Sequence, residues 1–568
     1  MSSLDWVVLV ITLGVIILYG IYKSRGSRTI DDYLLANRQL PWYHVWLSVM
    51  ATQASAITFL SAPGLAYNKG MGFVQFYFGL PLAMIVLCVT FIPMFQRLNV
   101  FTAYEFLEKR FDLKTRTLTS FLFLIQRGIS TGISIYAPSI ILATILQIDI
   151  AYTTLFMGGL VTFYTVYGGT KAVSYTQVLQ MGVIFSGMFI AGVMVIKMMP
   201  ESVGFTETLQ IAGKMSKTQV LDFNFDWRNQ YNVWSGLIGG FFLQLSYFGT
   251  DQSQVGRYLT GKNTGESKLG LILNGIVKIP MQFLILMLGA MVFAFYQYHP
   301  SPIFFNTYEL EKARNGSVSA EFHQIEKEYQ AIFQQKQAQV INLSTALHND
   351  NAGQIVASQK ILQATQQQAD SLRKQAIGLI KKNDPKADTN DTNYVFLNFV
   401  MSYLPRGLIG LLIAIIFLAA MGSLASAFNS LASCTVVDVY KRLIKTNGSD
   451  THYLAVSRWA TVGWGVFCII CAFYANKVGN LIEAVNILGS LFYGVILGVF
   501  LVAFYVKWVS GSAVFWAAII AELLVVLCWW FDLTAFLWLN VIGCLLVVGI
   551  SIIINRFSAT KSRLTAIS

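Results

Sequence analysis

Apolar stretches long enough to cross a membrane recur from one end of this chain to the other. That recurrence limits its fold more than any other feature. One crossing needs about 20 apolar residues at about 1.5 Å each. Such stretches read at 5–23, 45–66, 73–96, 118–147, 151–169, 178–199, 232–249, 269–296, 404–430, 457–475, 481–505, 512–531 and 537–554. Hydrocarbon offers no water to unpaired backbone groups, so spans of this length fold as helices. The expectation is an all-α polytopic membrane protein of about thirteen transmembrane helices. Composition agrees: 55% of residues are apolar and 12% charged, against about 25% charge in soluble domains.

Loop charges orient the threading. Arg25, Arg28 and Arg38 follow the first span, and Arg97, Lys109, Arg110, Lys114 and Arg116 the third. Lys171, Arg257, Lys262, Lys268, Lys441, Arg442, Lys445, Lys507, Arg556, Lys561 and Arg563 fall on the same side when thirteen spans are threaded. The positive-inside rule makes that side cytoplasmic, with the N-terminus outside and the C-terminus inside a plasma or inner membrane. The net charge of +12 is then mostly topology. It is scattered over short loops, which argues against a nucleic-acid partner. The first span begins at acidic Asp5, lacks a basic leader and shows no small-residue cleavage site, so it reads as a retained helix. All six cysteines lie in or beside apolar spans and read as small hydrophobes.

Residues 298–394 break the pattern, being polar and rich in Gln, Ala and Lys. Good helix formers fill 318–344 and 352–381, with Phe322, Ile325, Tyr329 and Phe333 at spacings of three and four. The expectation is an extracytoplasmic helical hairpin or loosely held cap. It separates a membrane part over 1–297 (spans one to eight) from one over 395–568 (spans nine to thirteen). Either a surface decoration or a capture element for solute or partner fits this composition.

Two spans are too polar to be simple lipid-facing helices. Leu47–Gly64 carries Ser48, Thr52, Gln53, Ser55, Thr58 and Ser61, with Pro63-Gly64 marking a place to unwind. Leu418–Ser433 carries Gly422, Ser423, Ser426, Asn429 and Ser430. Hydroxyls and freed carbonyls are hard oxygen donors suited to a group I cation, while close helix packing through small residues explains the same pattern. Lys278 in the eighth span and Arg127 in the fourth are charges that must face the bundle interior, pair or snorkel.

Four motifs carry a resemblance: Asp31 to Arg38 followed by Leu40-Pro41-Trp42, Tyr167 to Val173 with Gln180, Tyr247 to Tyr258, and Ala419 to Ser430 leading into Asp438-Val439-Tyr440. On them the chain resembles the sodium:solute symporter family of sodium-coupled sugar, proline, iodide, monocarboxylate, multivitamin and sialic acid carriers. The resemblance covers nearly the whole chain except 298–394. It implies a ten-helix core of two inverted five-helix repeats, spans two to six and seven to eleven, in which the second and ninth spans are the polar, breakable partners.

The resemblance also implies a sodium site of the main-chain oxygens of Ala51, Ala54 and Ala419 with the Ser423 hydroxyl. The position before Ser423 usually carries a second serine; here it is Gly422. Many relatives have an acid where this chain has Gln177, and close relatives often have Gln at Gly256. The sugar-carrier pattern places solute contacts at Gln53, Thr58, Tyr77, Gln244 and Lys278, with Tyr247 an inner aromatic gate. Thr58 and Tyr77 stand where that pattern has Gln and Glu, and Lys278 favours an anion. The expected function is secondary active transport, with inward sodium driving uptake of a small polar or anionic organic solute by alternating access. No cofactor is called for, and no nucleotide loop or nucleophile triad suggests an enzyme. The rival readings are another coupling cation and a membrane sensor that keeps the transporter fold.

Overall fold

The computed structural model describes residues 1–24, 35–475 and 479–565; Arg25, Arg28 and Asp31 to Leu34 of the first motif lie outside them. The side chains of Lys171, Lys561 and Arg563 and the surroundings of Gly168 and Gly169 are likewise outside the described part. The longer helices are α1 (Ser3–Ser24), α2 (Trp42–Gln53), α3 (Ala56–Lys69), α4 (Leu113–Leu146), α5 (Ile150–Lys197), α6 (Phe205–Lys214), α7 (Gly240–Thr250), α8 (Thr264–Tyr298), α9 (Ser319–His348), α10 (Ala352–Asn383), α11 (Leu408–Cys434), α12 (Asp450–Ala472), α13 (Leu481–Tyr505), α14 (Gly511–Trp530) and α15 (Phe536–Thr565). Among the described residues, eleven helical segments are long and apolar enough to cross a membrane, or twelve with the bent pair α2–α3 as one. The protein is therefore an all-α, multi-pass membrane protein.

Two expectations about where helices break need correction. The 45–66 segment does break, with a 57° bend between α2 and α3. The break falls at Ala54 (φ −87°, ψ 73°) and extended Ser55, not at Pro63-Gly64. Pro63 stays helical inside α3, and the glycine beside it serves close approach: a Cβ on Gly64 would lie 1.9 Å from the Thr392 carbonyl oxygen. Gly289 of α8 does the same against Pro63, at 2.2 Å from its oxygen. The small-residue ninth span is not broken. α11 runs unbroken through Gly422, Ser423 and Asn429, and its hydroxyls bond back to their own helix, as Ser426 Oγ does to the Gly422 carbonyl at 2.9 Å.

The second break lies in the seventh span. A π-helical turn over Ser235–Gly239 leads into α7, which stops at Thr250; Asp251 is extended (φ −77°, ψ 116°), and a short helix resumes over Gln252–Tyr258. Asp251 caps that helix, accepting from the Ser253 N–H at 2.8 Å. Arg257, read from sequence as a loop charge, is consequently buried at 3% exposure. Arg116 is also buried, held by Asp438 at 2.5 Å and Glu108 at 2.6 Å, so it adds little to the surface charge used for orientation.

The polar region folds as a helical hairpin of α9 and α10. It has its own apolar seam, in which Phe322 and Tyr329 meet Leu372, Ala376 and Ile380. It is held firmly rather than loosely. Arg373 bridges to Asp391 at 2.7 Å, Gln359 and Gln363 donate to the Lys214 carbonyl at 2.9 and 3.1 Å, and Gln337 donates to the Tyr298 carbonyl at 2.7 Å.

The close contacts at Gly64 generate a test. Gly64→Ala should lower the thermal midpoint of the purified protein, because overpacking against rigid backbone costs about 1–3 kcal/mol or more. Gly378→Ala, where nothing lies within 4 Å of the new carbon, should leave the midpoint unchanged or raise it. Equal midpoints for the two variants would show that the α3–Thr392 approach is not tight.

Candidate functional site

The break between α2 and α3 leaves the last carbonyls of α2 without intrahelical partners. The Ala54 N–H still reaches the Met50 carbonyl at 2.8 Å, and the chain then turns extended. Beside this break lies a cavity of about 110 Å³. Its wall brings together Gln53, Thr58, Tyr77, Gln244, Tyr247 and Ser423, six of the residues singled out from sequence. Gln53 Oε1 and Gln244 Oε1 are buried and unbonded, leaving acceptors unused within the protein.

Ala51, Ala54 and Ala419 are buried beside this space and do not line it. Ser423 Oγ donates to the Ala419 carbonyl at 2.9 Å, so those two oxygens are adjacent. The end of α2 is tied to α11 through Thr52 Oγ1 and Ser426 Oγ, 3.1 Å apart. Gln177 of α5 sits at that junction. Its Oε1 accepts from Ser48 Oγ at 2.6 Å, and its Nε2 donates to Thr52 Oγ1, the Gly422 carbonyl and Ser426 Oγ at 3.1–3.2 Å. A carboxylate there would have no hydrogens to give these three oxygens; the amide joins α2, α5 and α11 without an ion. Beside it, Gln180 Oε1 is buried and unbonded, and lies 2.5 Å from where a Cβ on Gly422 would sit. The side chain missing at Gly422 is thus replaced in space by an unused oxygen.

Lys278 stands apart from the cavity wall. It is fully buried on α8, its Nζ 5.2 Å from the centre of the Tyr77 ring and without a hydrogen-bond partner among the described residues. Tyr77 therefore separates it from the cavity. Asn274 and Gln282, one helical turn to either side on the same face of α8, are also buried with unbonded side-chain atoms.

The cation that does line the cavity is Arg127. It bridges to Asp251 at 2.7 Å, contacts Ser253 Oγ, and lies 5.7 Å from the centre of the Tyr247 ring. Tyr493 of α13 donates to Asp251 at 2.9 Å. The second helix break thus supplies the carboxylate that holds Arg127 at the cavity. In the sequence Arg127 stands out as an intramembrane charge and Asp251 lies within the Tyr247 to Tyr258 motif, but nothing there joins the two. Their opposite charge within apolar surroundings was the available signal.

The sodium:solute symporter family matches residues 33–306 and 380–521, leaving out most of the hairpin. The sodium/sialic acid symporter NanT of Aliivibrio fischeri is 25% identical over 99% of this chain and 97% of its own length. The human sodium/iodide cotransporter is 32% identical over 51% of this chain, a match spanning 44% of that protein. The human sodium-coupled monocarboxylate transporter 1 is 32% identical over 45% of this chain and 42% of its own length. A solved Na⁺-coupled sialic acid symporter, in a substrate-bound outward-open state, has the same fold, with a TM-score of 0.74 over 98% of both chains at 23% identity. A bundle with two broken helices around a polar cavity, matched over most of its length by one family, leads to a single assignment: the chain belongs to the sodium:solute symporter family.

Proposed function

We propose that this protein couples inward sodium movement to uptake of a small, polar, anionic organic solute, by alternating access around the cavity beside the α2–α3 break. Sodium-coupled secondary transport follows from the family; no chemical step on the solute is involved. The observation that carries the anionic reading is Arg127, whose guanidinium, only 11% exposed, stands in the wall of a cavity otherwise lined by uncharged groups and keeps its Nε unbonded beside the bridge to Asp251. The relatives named for sialic acid, iodide and monocarboxylates handle anions, which supports it.

Gln53, Thr58, Tyr77 and Gln244 contact the solute in this reading, and Tyr247, stacked near Arg127, closes one side as a gate. Lys278 acts through Tyr77 as a positioning cation. The coupling ion takes the carbonyls of Ala51, Ala54 and Ala419 and the Ser423 hydroxyl, with Gln180 Oε1 in place of the hydroxyl that Gly422 lacks. Gln177 is occupied by its own hydrogen bonds, which favours one sodium at this junction. The membrane potential contributes about 2.3 kcal/mol per charge per 100 mV to inward movement.

Thirteen spans and a ten-helix core of two inverted repeats fit the same reading. Breaks at Ala54-Ser55 and at Asp251 each fall in the first helix of a proposed five-helix repeat. The chain divides at the hairpin into membrane parts 1–297 and 395–568, with 298–394 extracytoplasmic, the N-terminus outside and the C-terminus inside. Exposed Lys109, Lys445 and Lys507, on loops that this threading puts opposite 298–394, support that orientation.

Orientation is checked by cysteine labelling in intact cells. A cysteine at Asn342 should react with an impermeant thiol reagent, and one at Lys445 should not. Labelling of both or of neither would reject the threading.

For the ion site, Ser423→Ala should raise the sodium concentration for half-maximal uptake by about tenfold, equivalent to about 1.4 kcal/mol of ion binding. Solute binding at saturating sodium should be largely kept. An unchanged sodium titration would remove Ser423 from the site.

For the solute, Arg127→Gln should raise the apparent solute constant at least about thirtyfold, since a desolvated charge contact is worth about 2–5 kcal/mol. That change also strands Asp251 in the interior, at a cost of about 3–5 kcal/mol in stability. The paired variant Arg127→Gln with Asp251→Asn should recover folded yield but not solute affinity. Recovery of both would make the ion pair structural only.

A further inference from the structure

A second polar chamber, of about 530 Å³, lies between the α9–α10 hairpin and the membrane body. Tyr67 and Asn68 at the end of α3, Lys217 after α6, and Phe293 of α8 form its floor; Tyr329, Lys336 and the 363–377 face of α10 form its roof. Most of that roof lies outside the residues matched by the family.

Its charge is out of balance. Lys217, Lys336, Arg373 and Lys374 line it against one carboxylate, Asp370. Asp391 accepts from Arg373 through both oxygens, at 3.0 and 2.7 Å, so that guanidinium is already neutralised. Lys336 is 4% exposed, yet among the described residues its Nζ bonds only the neutral Gln366 Oε1, at 3.2 Å. Lys217 donates to the Asn68 carbonyl at 2.5 Å and lies over the Phe293 ring at 4.8 Å. Among the described residues neither lysine has a salt-bridge partner. Burial pushes the Lys336 ammonium down to about 8 and lowers Lys217 as well, with Asp370 opposing both shifts. A buried cation held by neutral groups is stabilised when an anion enters beside it.

We propose that this chamber is a binding site for a small organic carboxylate. Lys336 and Lys217 hold its charge, and Gln363 Oε1 and the Gln367 amide face its hydroxyl or amide groups. The chamber is far larger than an inorganic anion needs, and its amide and aromatic lining suits an organic body. The site stands on its own residues and does not require the central cavity to take an anion.

The test uses the full-length purified protein at pH 7 without sodium, in an Arg127→Gln, Asp251→Asn background that removes the central cation. Binding of glucuronate, gluconate and pyruvate is measured by calorimetry, with glucose and chloride as controls. At least one carboxylate should bind while glucose does not. Its affinity should fall by about tenfold or more in Lys336→Gln and in Lys217→Gln. It should rise in Asp370→Asn, where a competing charge on an exposed side chain is removed. That gain is not produced by misfolding, and it decides the matter if the Lys336 variant does not fold. The proposal is overturned if no carboxylate binds, if both lysine variants bind as well as the parent, if Asp370→Asn leaves affinity unchanged or weaker, or if chloride binds as tightly as the carboxylates. Loss of anion binding in the Arg127 background, with binding in the unaltered protein, would also overturn it while leaving the central reading intact.

Discussion

Hydrocarbon has no hydrogen bonds to give, and the organisation of this protein follows from where its backbone is nevertheless interrupted. An open peptide at the middle of a membrane is stable only when shielded by other helices or set against a polar space. Both interruptions here meet that condition. Ala54-Ser55 opens beside the central cavity and is tied by Thr52 to α11. Asp251 opens beside the same cavity and covers its own loose end by capping Gln252–Tyr258. The cavity is thus a product of the two breaks, and the polar residues around it follow from that location.

α11 has the opposite role. Its run of small residues reads like a second weak point, but its hydroxyls are spent on carbonyls one turn back, and the helix stays whole. It is an uninterrupted helix against which the interrupted ones pack. The Gln177 amide holds the two kinds of helix together with neutral hydrogen bonds. In a low-dielectric interior such bonds fix geometry without the desolvation cost of a buried charge.

The sequence made the helical, multi-pass architecture and the hairpin legible because those depend on length, hydropathy and helix propensity, all local properties. Six cavity residues were also legible, through motif resemblance. The exact break points were not. Pro63-Gly64 carries the usual signature of an interruption, yet Pro63 is packed against Gly289 and stays helical, while Ala54-Ser55 carries no such signature. Tertiary packing decided both. The place of Lys278 behind the cavity wall was illegible for a related reason: a motif position fixes the helix face, but the ring of Tyr77 decides what that face reaches. The Arg127–Asp251 pair joins residues far apart in the chain, and only the fold brings them within 2.7 Å.

The hairpin has a mechanical consequence. It is fastened to the end of α6 through Lys214, to the end of α8 through Tyr298, and to the strap before the 395–403 helix through Asp391. Three anchors on one stiff lever turn separate helix ends into a single plate. Any opening on this side of the bundle must then hinge along the rim of that plate, swinging it as one piece, rather than splaying the helix ends beneath it one by one.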